Sequence, residues 1–159
     1  MKITLITVGK IKEKFYRDAI SEYTKRLAKY CKLEIIEVAD EKTKEDATEK
    51  EIDIVKQKEA ERIFKHIKEG SYLITLEILG KNLSSEEFAH KINSLGISGC
   101  SSITMIIGGS LGLHKSVSDV SDFKLSFSKM TFPHQLMRVI LLEQIYRAYR
   151  IINNQPYHK

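Results

Sequence analysis

The chain has 159 residues, of which 42% are hydrophobic and 30% are charged, and its formal net charge is +5. This length suits one globular domain. No apolar run approaches the roughly 20 residues that span a bilayer, and the N-terminus becomes charged too early for a signal peptide, so we expect a cytoplasmic protein. Two cysteines and five scattered histidines exclude a disulfide framework and predict no metal site. The mild positive charge permits a nucleic-acid partner.

The first half of the chain alternates between strands and helices. Residues 3–8 are β-branched and apolar, which predicts a strand that Gly9 ends. Apolar side chains spaced by three and four predict a helix over 11–30, and a second strand follows at 33–38. The strongly charged segment 44–69 carries one apolar stripe, which predicts a second helix with a solvated outer face.

The second half continues the alternation. Residues 72–76 predict the third strand, and Ser84 with Glu87 forms an S-x-x-E capping box that opens the next helix. The run 103–107 is apolar throughout, as expected of a strand whose two faces are both covered by helices. The remaining predicted elements are a short helix, a strand at 124–128 and a last helix over 133–152.

This alternation predicts an α/β fold, with a mainly parallel sheet flanked by helices, in a single domain over 1–159. The last helix is apolar around nearly its whole circumference, and only Glu143, Arg147 and Arg150 share a distinct polar face. Such a helix must bury more than one side. We therefore expect one side to pack on the sheet and another to pack on a second copy of the chain in a homodimer.

The turn after the fourth strand, Gly108-Gly109-Ser110-Leu111-Gly112, is the first candidate ligand site. Glycines at the carboxyl end of a parallel strand let a ligand approach the backbone, and open α/β sheets bind ligands at this edge. The alternative is a tight turn that binds nothing. The spacing matches neither the dinucleotide-binding fingerprint nor a Walker P-loop.

The same turn also matches G-x-S-x-G, the nucleophile motif of serine hydrolases. Ser110 would be the nucleophile, and Asp119 or Asp122 and then His134 or His158 follow in hydrolase order. Against this, the motif is short enough to arise by chance and lies two-thirds along a chain too short for that fold. A serine hydrolase is therefore the less favoured hypothesis.

The segment 127–133, Phe-Ser-Lys-Met-Thr-Phe-Pro, is the second candidate. It is apolar where a plain connector between a strand and a helix would be polar. An apolar segment beside a glycine turn suits a flat, weakly charged ring such as adenine. The alternative is that it only fixes the entrance of the last helix.

The C-terminus is the third candidate. Tyr157, His158 and Lys159 offer a ring, a titratable group and a cation, a combination that suits a flipped nucleotide and its phosphate. Chain ends usually fray, and a disordered end is the alternative.

Together, these segments resemble the RlmH family, the SPOUT-class methyltransferases that modify a pseudouridine in large-subunit ribosomal RNA. The ordered set is far more specific than any single glycine motif, and the resemblance covers the whole chain. Glu77 stands where relatives often carry aspartate, which is tolerable variation near the cofactor. The matching segments are Thr7-Val8-Gly9-Lys10, residues 76–80, 107–112, 125–135 and 142–148, and Pro156-Tyr157-His158-Lys159.

The resemblance implies a C-terminal half tied in a deep trefoil knot, which no pattern in the sequence could show. It implies S-adenosylmethionine as the cofactor, bent within that knot. It also implies a homodimer that acts on 23S ribosomal RNA in assembled ribosomes, without a metal or a membrane. Carried over to this chain, the cofactor site comprises Leu76, Gly108, Phe127, Ser128, Lys129, Met130, Thr131 and Phe132, and the RNA site comprises Arg147, Tyr157, His158 and Lys159.

The proposed chemistry needs few groups. A sulfonium methyl is already activated, so the enzyme mainly holds it in line with the attacking nitrogen. The N3–H of a uracil-like ring is a weak acid, so this nitrogen must lose its proton or gain stabilisation from a cation. His158 and Arg147 are the candidate catalytic residues, with Lys159 as a further cation, and which of them is the base stays open. A non-catalytic RNA- or ribosome-binding module is the other alternative, but it leaves the apolar run 127–132 unexplained.

Overall fold

The computed structural model describes residues 1–157. Within these, all strands pair in parallel in one sheet with the order β2-β1-β4-β3-β5. The predicted α/β fold with a parallel sheet is therefore confirmed. The elements in chain order are β1 (Lys2–Val8), α1 (Lys14–Leu27), β2 (Lys32–Val38), α2 (Glu49–Phe64), β3 (Tyr72–Asn82), α3 (Ser85–Ile97), β4 (Ser102–Ile107), α4 (Lys115–Asp119), β5 (Phe123–Ser126) and α5 (His134–Ile152).

Helices cover both faces of the sheet, because successive strand side chains point to opposite sides. Ile3 and Leu5 of β1 are buried against α1, α3 and α5. Ile6 and Val8 of the same strand point the other way and are buried with side chains of α2 and α4. The core under α1, α3 and α5 is the larger of the two, so the last helix lies on the more heavily packed face.

The sequence predicted one of the two capping boxes at the starts of the helices. The predicted capping box at α3 is confirmed, since Glu87 N donates to Ser84 Oγ at 3.1 Å and Ser84 N donates to Glu87 Oε2 at 2.7 Å. α2 begins with an equivalent box at Thr48 and Glu51 that the sequence analysis did not identify. α1 is shorter than predicted, and Phe15, placed in its apolar stripe, is 63% exposed.

β3 is the largest departure from expectation, because it continues from the predicted end at Leu76 to Asn82. It pairs with β5 twice, since Leu76 and Lys81 both lie opposite Leu125 and the residues between them bulge out of the ladder. Gly80 allows this return. A Cβ at that position would lie 2.7 Å from the Lys124 carbonyl oxygen, closer than any side chain tolerates. Gly80 is thus a point of close backbone approach within the strand.

The last helix, α5, buries one side completely. Leu141, Leu142 and Ile145 are fully buried in the core of the same chain. Leu136 and Ile140 are only half-buried and lie on the opposite side of the helix. The expected packing on the sheet is thus confirmed, and the expected packing on a second copy stays a prediction. In the part of the chain described here, no helix is long and apolar enough to cross a membrane.

Arg138 ties α5 to β1 and is itself 1% exposed. Its guanidinium donates to Glu37 Oε2 and to the carbonyl oxygens of Val8 and Gly9, each at 2.8 Å. Burial lowers the pKa of Arg138, and the hydrogen bond with Glu37 opposes that shift. The ion pair and the two carbonyls keep the side chain charged inside the protein, where it fixes the start of α5 against the carboxyl end of β1.

Candidate cofactor pocket and RNA-facing cluster

A pocket of about 530 Å³ lies at the carboxyl ends of β3, β4 and β5. Three pieces of chain enclose it: the glycine turn 108–112, the bulge at Glu77 and Ile78, and the segment 125–134 that leads into α5. This is the edge at which open parallel sheets bind ligands. The volume lies within the range of roughly 300–1,000 Å³ that small-molecule sites have.

Most of the residues expected to bind the cofactor line this one pocket. Lys129 is the exception, because its side chain is exposed and is not part of the lining. The pocket thus brings together two segments that are about 20 residues apart in sequence. Cofactor binding by these residues stays a prediction. The lining residues from the expected set are Leu76, Gly108, Phe127, Ser128, Met130, Thr131 and Phe132.

The glycine turn closes on itself. Gly112 N donates to the Gly109 carbonyl oxygen at 3.0 Å, and Gly112 has φ +83°, a conformation that favours glycine. A Cβ on Gly108 would lie 2.8 Å from the Gly112 carbonyl carbon. The shape of the turn therefore requires glycine at position 108. A ligand in the pocket depends on Gly108 only because it depends on the shape of this turn.

Serine hydroxyls hold the apolar segment over the pocket. Ser126 Oγ donates to the Ile78 carbonyl oxygen at 2.9 Å, and Met130 N donates to Ser128 Oγ at 2.9 Å. These bonds fix a segment whose large side chains would otherwise lack a helix or strand to order them. Met130 remains 74% exposed at the rim.

Glu77 supplies a carboxylate to the pocket wall. It accepts hydrogen bonds from Thr75 Oγ1 at 2.6 Å and from Ser118 Oγ at 3.0 Å. These hydroxyls fix the orientation of the carboxylate, which retains further acceptor capacity for donors on a ligand. Glu77 thus fits the hydroxyl or ammonium groups of a bound cofactor.

His134 also lines the pocket, and the sequence analysis gave it no role in the methyltransferase site. Burial lowers its pKa, and the nearby positive charge of Arg138 lowers it further. Both effects favour the neutral form of the imidazole. The only sequence signal was its place within the matched segment 125–135.

The geometry does not support the serine-hydrolase hypothesis. A nucleophile elbow holds its serine in a strained turn directly before a helix. Within residues 1–157, Asn154 is the only non-glycine residue with positive φ, and α4 begins five residues after Ser110. Asp122 accepts from Leu73 N at 2.7 Å and Asp119 pairs with Lys115, so neither carboxylate orients a histidine.

The residues expected to contact RNA form a second cluster, at the far end of α5. Arg147 donates to Glu143 Oε1 at 2.7 Å, and its guanidinium carbon lies 4.7 Å from the Tyr157 ring centroid. The Tyr157 ring packs edge-on against Tyr146, with centroids 5.0 Å apart. The tail is therefore folded back as far as Tyr157, where burial raises the pKa to about 12. His158 and Lys159 lie outside the described residues.

The pocket and this cluster lie at opposite ends of one helix. His134 is at the first turn of α5 and Arg147 is near its last turn. At 1.5 Å per residue, thirteen residues of helix separate them by about 20 Å. A single chain therefore does not bring Arg147 and Tyr157 to its own pocket.

No group of three or more histidine, cysteine, aspartate or glutamate side chains among residues 1–157 could hold a metal ion. The polar groups of the pocket are instead hydroxyls, backbone amides, the Glu77 carboxylate and the His134 ring. This donor set suits an organic ligand.

Comparisons with known proteins agree with the fold and with the motifs. A family model described as a predicted SPOUT methyltransferase matches residues 1–158. A Methanococcus maripaludis protein named "Putative ribosomal RNA large subunit methyltransferase H" is 68% identical, with 100% of both chains covered. A Bifidobacterium adolescentis protein named "Ribosomal RNA large subunit methyltransferase H" is 64% identical with the same coverage.

Two solved structures share the fold at low sequence identity. A probable methylase family protein from Haemophilus influenzae has a TM-score of 0.56 and 12% identity, and the match covers 99% of this chain and 70% of that one. A probable methyltransferase from Bordetella pertussis has a TM-score of 0.52 and 10% identity, and the match covers 93% and 96% of the two chains.

Proposed function

The chain belongs to the SPOUT methyltransferase family, and from this premise we propose that it methylates N3 of a pseudouridine in 23S ribosomal RNA with S-adenosylmethionine as the methyl donor. The names of its relatives support a ribosomal RNA substrate. The observation that carries the proposal is the single pocket into which the glycine turn and the segment 125–134 converge. The proposed substrate is the assembled ribosome, and the proposed location is the cytoplasm.

The residues of the pocket fit this cofactor. The apolar side chains of Leu76, Phe127 and Phe132 suit the adenine ring, and Glu77 suits hydroxyl or ammonium donors. The glycine turn lacks side chains at three of its five positions, which leaves backbone amides accessible to a ligand. When bound, S-adenosylmethionine supplies an activated sulfonium methyl, so the chain has only to orient it, exclude water and handle one proton.

The 20 Å separation along α5 supports a homodimer. If two copies pack through their last helices in antiparallel orientation, Arg147 and Tyr157 of one chain approach the pocket of the other. The half-buried Leu136, Val139 and Ile140 form the apolar surface for this contact. Each active site would then combine one chain's pocket with the other chain's tail.

The proton of the target nitrogen needs an acceptor, and three side chains are candidates. His158 belongs to the tail and remains the first candidate base, with Arg147 stabilising negative charge on the ring. The hydrogen bond that Arg147 donates to Glu143 raises the pKa of Arg147, so this residue acts as a cation and not as a base. His134 favours its neutral form and lies in the pocket, which makes it the alternative base.

A knotted C-terminal half is also part of the proposal. β3 meets β5 on both sides of its bulge, and Gly80 touches the backbone of Lys124. This close approach of two segments distant in sequence supports the trefoil knot that family membership implies. Ile78 and Leu125, beside this contact, also line the pocket.

Calorimetry tests the cofactor site. We expect one S-adenosylmethionine per chain without added metal, and a loss of affinity of at least tenfold in Gly108→Ala, because the new Cβ collides with Gly112. Gly96→Ala is the matched control, since its Cβ meets only Met1 at an ordinary 3.5 Å. Equal affinity in both variants would place the site elsewhere.

Mass spectrometry of ribosomal RNA tests the reaction. RNA from a strain that lacks the gene should lack one methyl group on a pseudouridine, and the purified protein with S-adenosylmethionine should restore it. A non-catalytic RNA-binding module predicts no mass difference. Labelling of Ser110 by a fluorophosphonate probe would instead support the hydrolase.

A further inference from the structure

The net charge of the chain is concentrated in one short region. Residues 10–32 contain eight lysines and arginines against three acidic residues, an excess of five that equals the net charge of the whole protein. The rest of the chain is balanced. Such concentration is typical of a surface that binds a polyanion.

Three of these exposed charges lie at the C-terminal end of α1 and just beyond it. Lys25 and Lys29 are exposed, and neither forms an ion pair with any of residues 1–157. Arg26 beside them pairs with Glu22 at 2.8 Å, and its guanidinium carbon lies 5.7 Å from the Tyr23 ring. Lys25 and Lys29 therefore offer cations whose charge no ion pair within residues 1–157 neutralises.

These cations continue into the RNA-facing end of α5. The Arg26 guanidinium carbon is also 5.8 Å from the Tyr146 ring, which is the ring that supports Tyr157. Arg150 donates to the Tyr30 hydroxyl at 3.4 Å, and Lys29 lies 5.0 Å from the Tyr30 ring centroid. Lysines, arginines and tyrosines thus lie next to one another between the end of α1 and the end of α5.

We propose that this surface, the basic ridge formed by Lys25 and Arg26 of α1, Lys29 just after α1 and Arg150 of α5, binds the phosphate backbone of the ribosomal RNA strand that flanks the target nucleotide. Interleaved cations and aromatic rings suit a single RNA strand, since cations neutralise phosphates and aromatic rings offer surfaces for bases to stack on. An acidic protein surface would explain the charge but not the alternation with tyrosines.

The assignment of ribosomal RNA to the ridge rests on the proposed function. The ridge in addition defines where the RNA strand lies on the protein. α1 runs beside α5, and the ridge adjoins the Arg147 and Tyr157 end of that helix. In the proposed dimer, that end approaches the partner's pocket. The ridge would then hold the RNA on the outer side of the site while the tail contacts the target base.

Charge reversal on the ridge tests the inference. The variant Lys25→Glu/Lys29→Glu should bind purified ribosomes at least tenfold more weakly in sedimentation assays. Its salt dependence, the slope of log affinity against log salt, should fall by about 1.4, because each lost phosphate contact removes roughly 0.7 for a single strand. In methylation assays, KM should rise while kcat and S-adenosylmethionine affinity stay near wild type. The variant Lys25→Arg/Lys29→Arg should behave as wild type.

The matched control is Lys50→Glu/Lys58→Glu on α2, which makes the same change in net charge at exposed positions on the other face of the sheet. Ribosome binding that is weakened equally in the control, or not weakened in the ridge variant, would overturn the proposal that the ridge binds RNA. If polyglutamate displaces the protein from ribosomes as well as polyuridylate does, the ridge binds polyanions in general. That result would overturn the RNA assignment. Wild-type protein that binds ribosomes but never methylates them would refute the proposed function, while the sedimentation result would still decide on the ridge.

Discussion

The two ends of α5 differ although one helix forms both. At the N-terminal end, Arg138 is buried and all its observed hydrogen bonds are to the same chain. At the C-terminal end, Arg147 keeps about a quarter of its side chain exposed and pairs with Glu143 one turn away. The outer side is apolar at the first end and charged at the second.

This difference separates residues that hold the fold from residues that face a partner. Arg138 connects α5 to β1 across 130 residues of sequence, so the protein depends on it for assembly. Arg147 is held by its own helix and by Tyr157, contacts that a folded core does not require. The following variants test that division, from the largest expected effect to the smallest.

Removal of residues 157–159 should lower the methylation rate by at least about 10²-fold, the range lost with a general acid or base. Stability should change little, because Tyr157 contributes an edge-on contact with Tyr146, worth about 0.5–1.5 kcal/mol, and only partly buried contacts with Arg147 and Glu143. Single-turnover methylation of purified ribosomes measures the first effect, and thermal unfolding measures the second. Wild-type rates after truncation would move the RNA-reading role to Arg147 and Arg150, and Tyr157→Phe is the control that keeps the ring.

Arg138→Leu should reduce the free energy of unfolding by about 3–5 kcal/mol, the usual cost of breaking a buried ion pair. The substitution removes the hydrogen bonds that Arg138 donates to two carbonyl oxygens, and it leaves Glu37 without this ion-pair partner. Denaturant unfolding provides the measurement. Glu37→Gln should cost less, since that side chain is 38% exposed and keeps an acceptor for Arg138. A loss below 1 kcal/mol in Arg138→Leu would contradict the structural role.

Ile140→Glu should weaken the proposed dimer by about 1.5–3 kcal/mol, the value of burying one such side chain. Light scattering at micromolar concentration should then detect monomers that remain folded. Ile145, an isoleucine of the same helix, is 0% exposed within its own chain. Ile145→Glu should therefore unfold the monomer and serves as the contrasting variant. A wild-type protein that is already monomeric would refute the homodimer.

Arg147→Ala should have the smallest effect on stability. Its ion pair with Glu143 spans four residues of a helix and is partly exposed, which is worth about 0.3–0.5 kcal/mol. Methylation should nevertheless fall sharply, because the proposed site loses its cation. Denaturant unfolding and methylation rates on the same preparation separate the two effects. A large loss of stability with unchanged turnover in Arg147→Ala would show that Arg147 holds the fold, the role assigned above to Arg138.

Periodicity sufficed to predict the helices and most strands, because each is determined by neighbours along the chain. It failed for residues 77–82, where an irregular bulge and Gly80 are explained only by the Lys124 backbone, distant in sequence. It failed again for Arg138, which looks like a surface residue until the carbonyls of Val8 and Gly9 are beside it. The order of the strands likewise depends on contacts that no local pattern encodes.

The pocket was predictable as two segments, since the glycine turn and the run 127–132 are each unusual for a connector. The fold of the segment 125–134 determines that these two segments face each other. It also places the Lys129 side chain outside the pocket and His134 inside it. The position of Tyr157 depends on Tyr146 in the same way. Sequence patterns therefore identified the segments, and packing determined which side chains meet.

The strand order also has a consequence for how the newly made protein folds during translation. β4 lies between β1 and β3, yet it is the fourth strand to leave the ribosome. Until residue 107 has emerged, only β1 and β2 can pair, and two strands alone are marginally stable in water. Arg138 then closes the structure from a position near the end of the chain. We therefore expect nascent chains to remain open for most of their synthesis and to fold slowly once released, as chains dominated by distant contacts do.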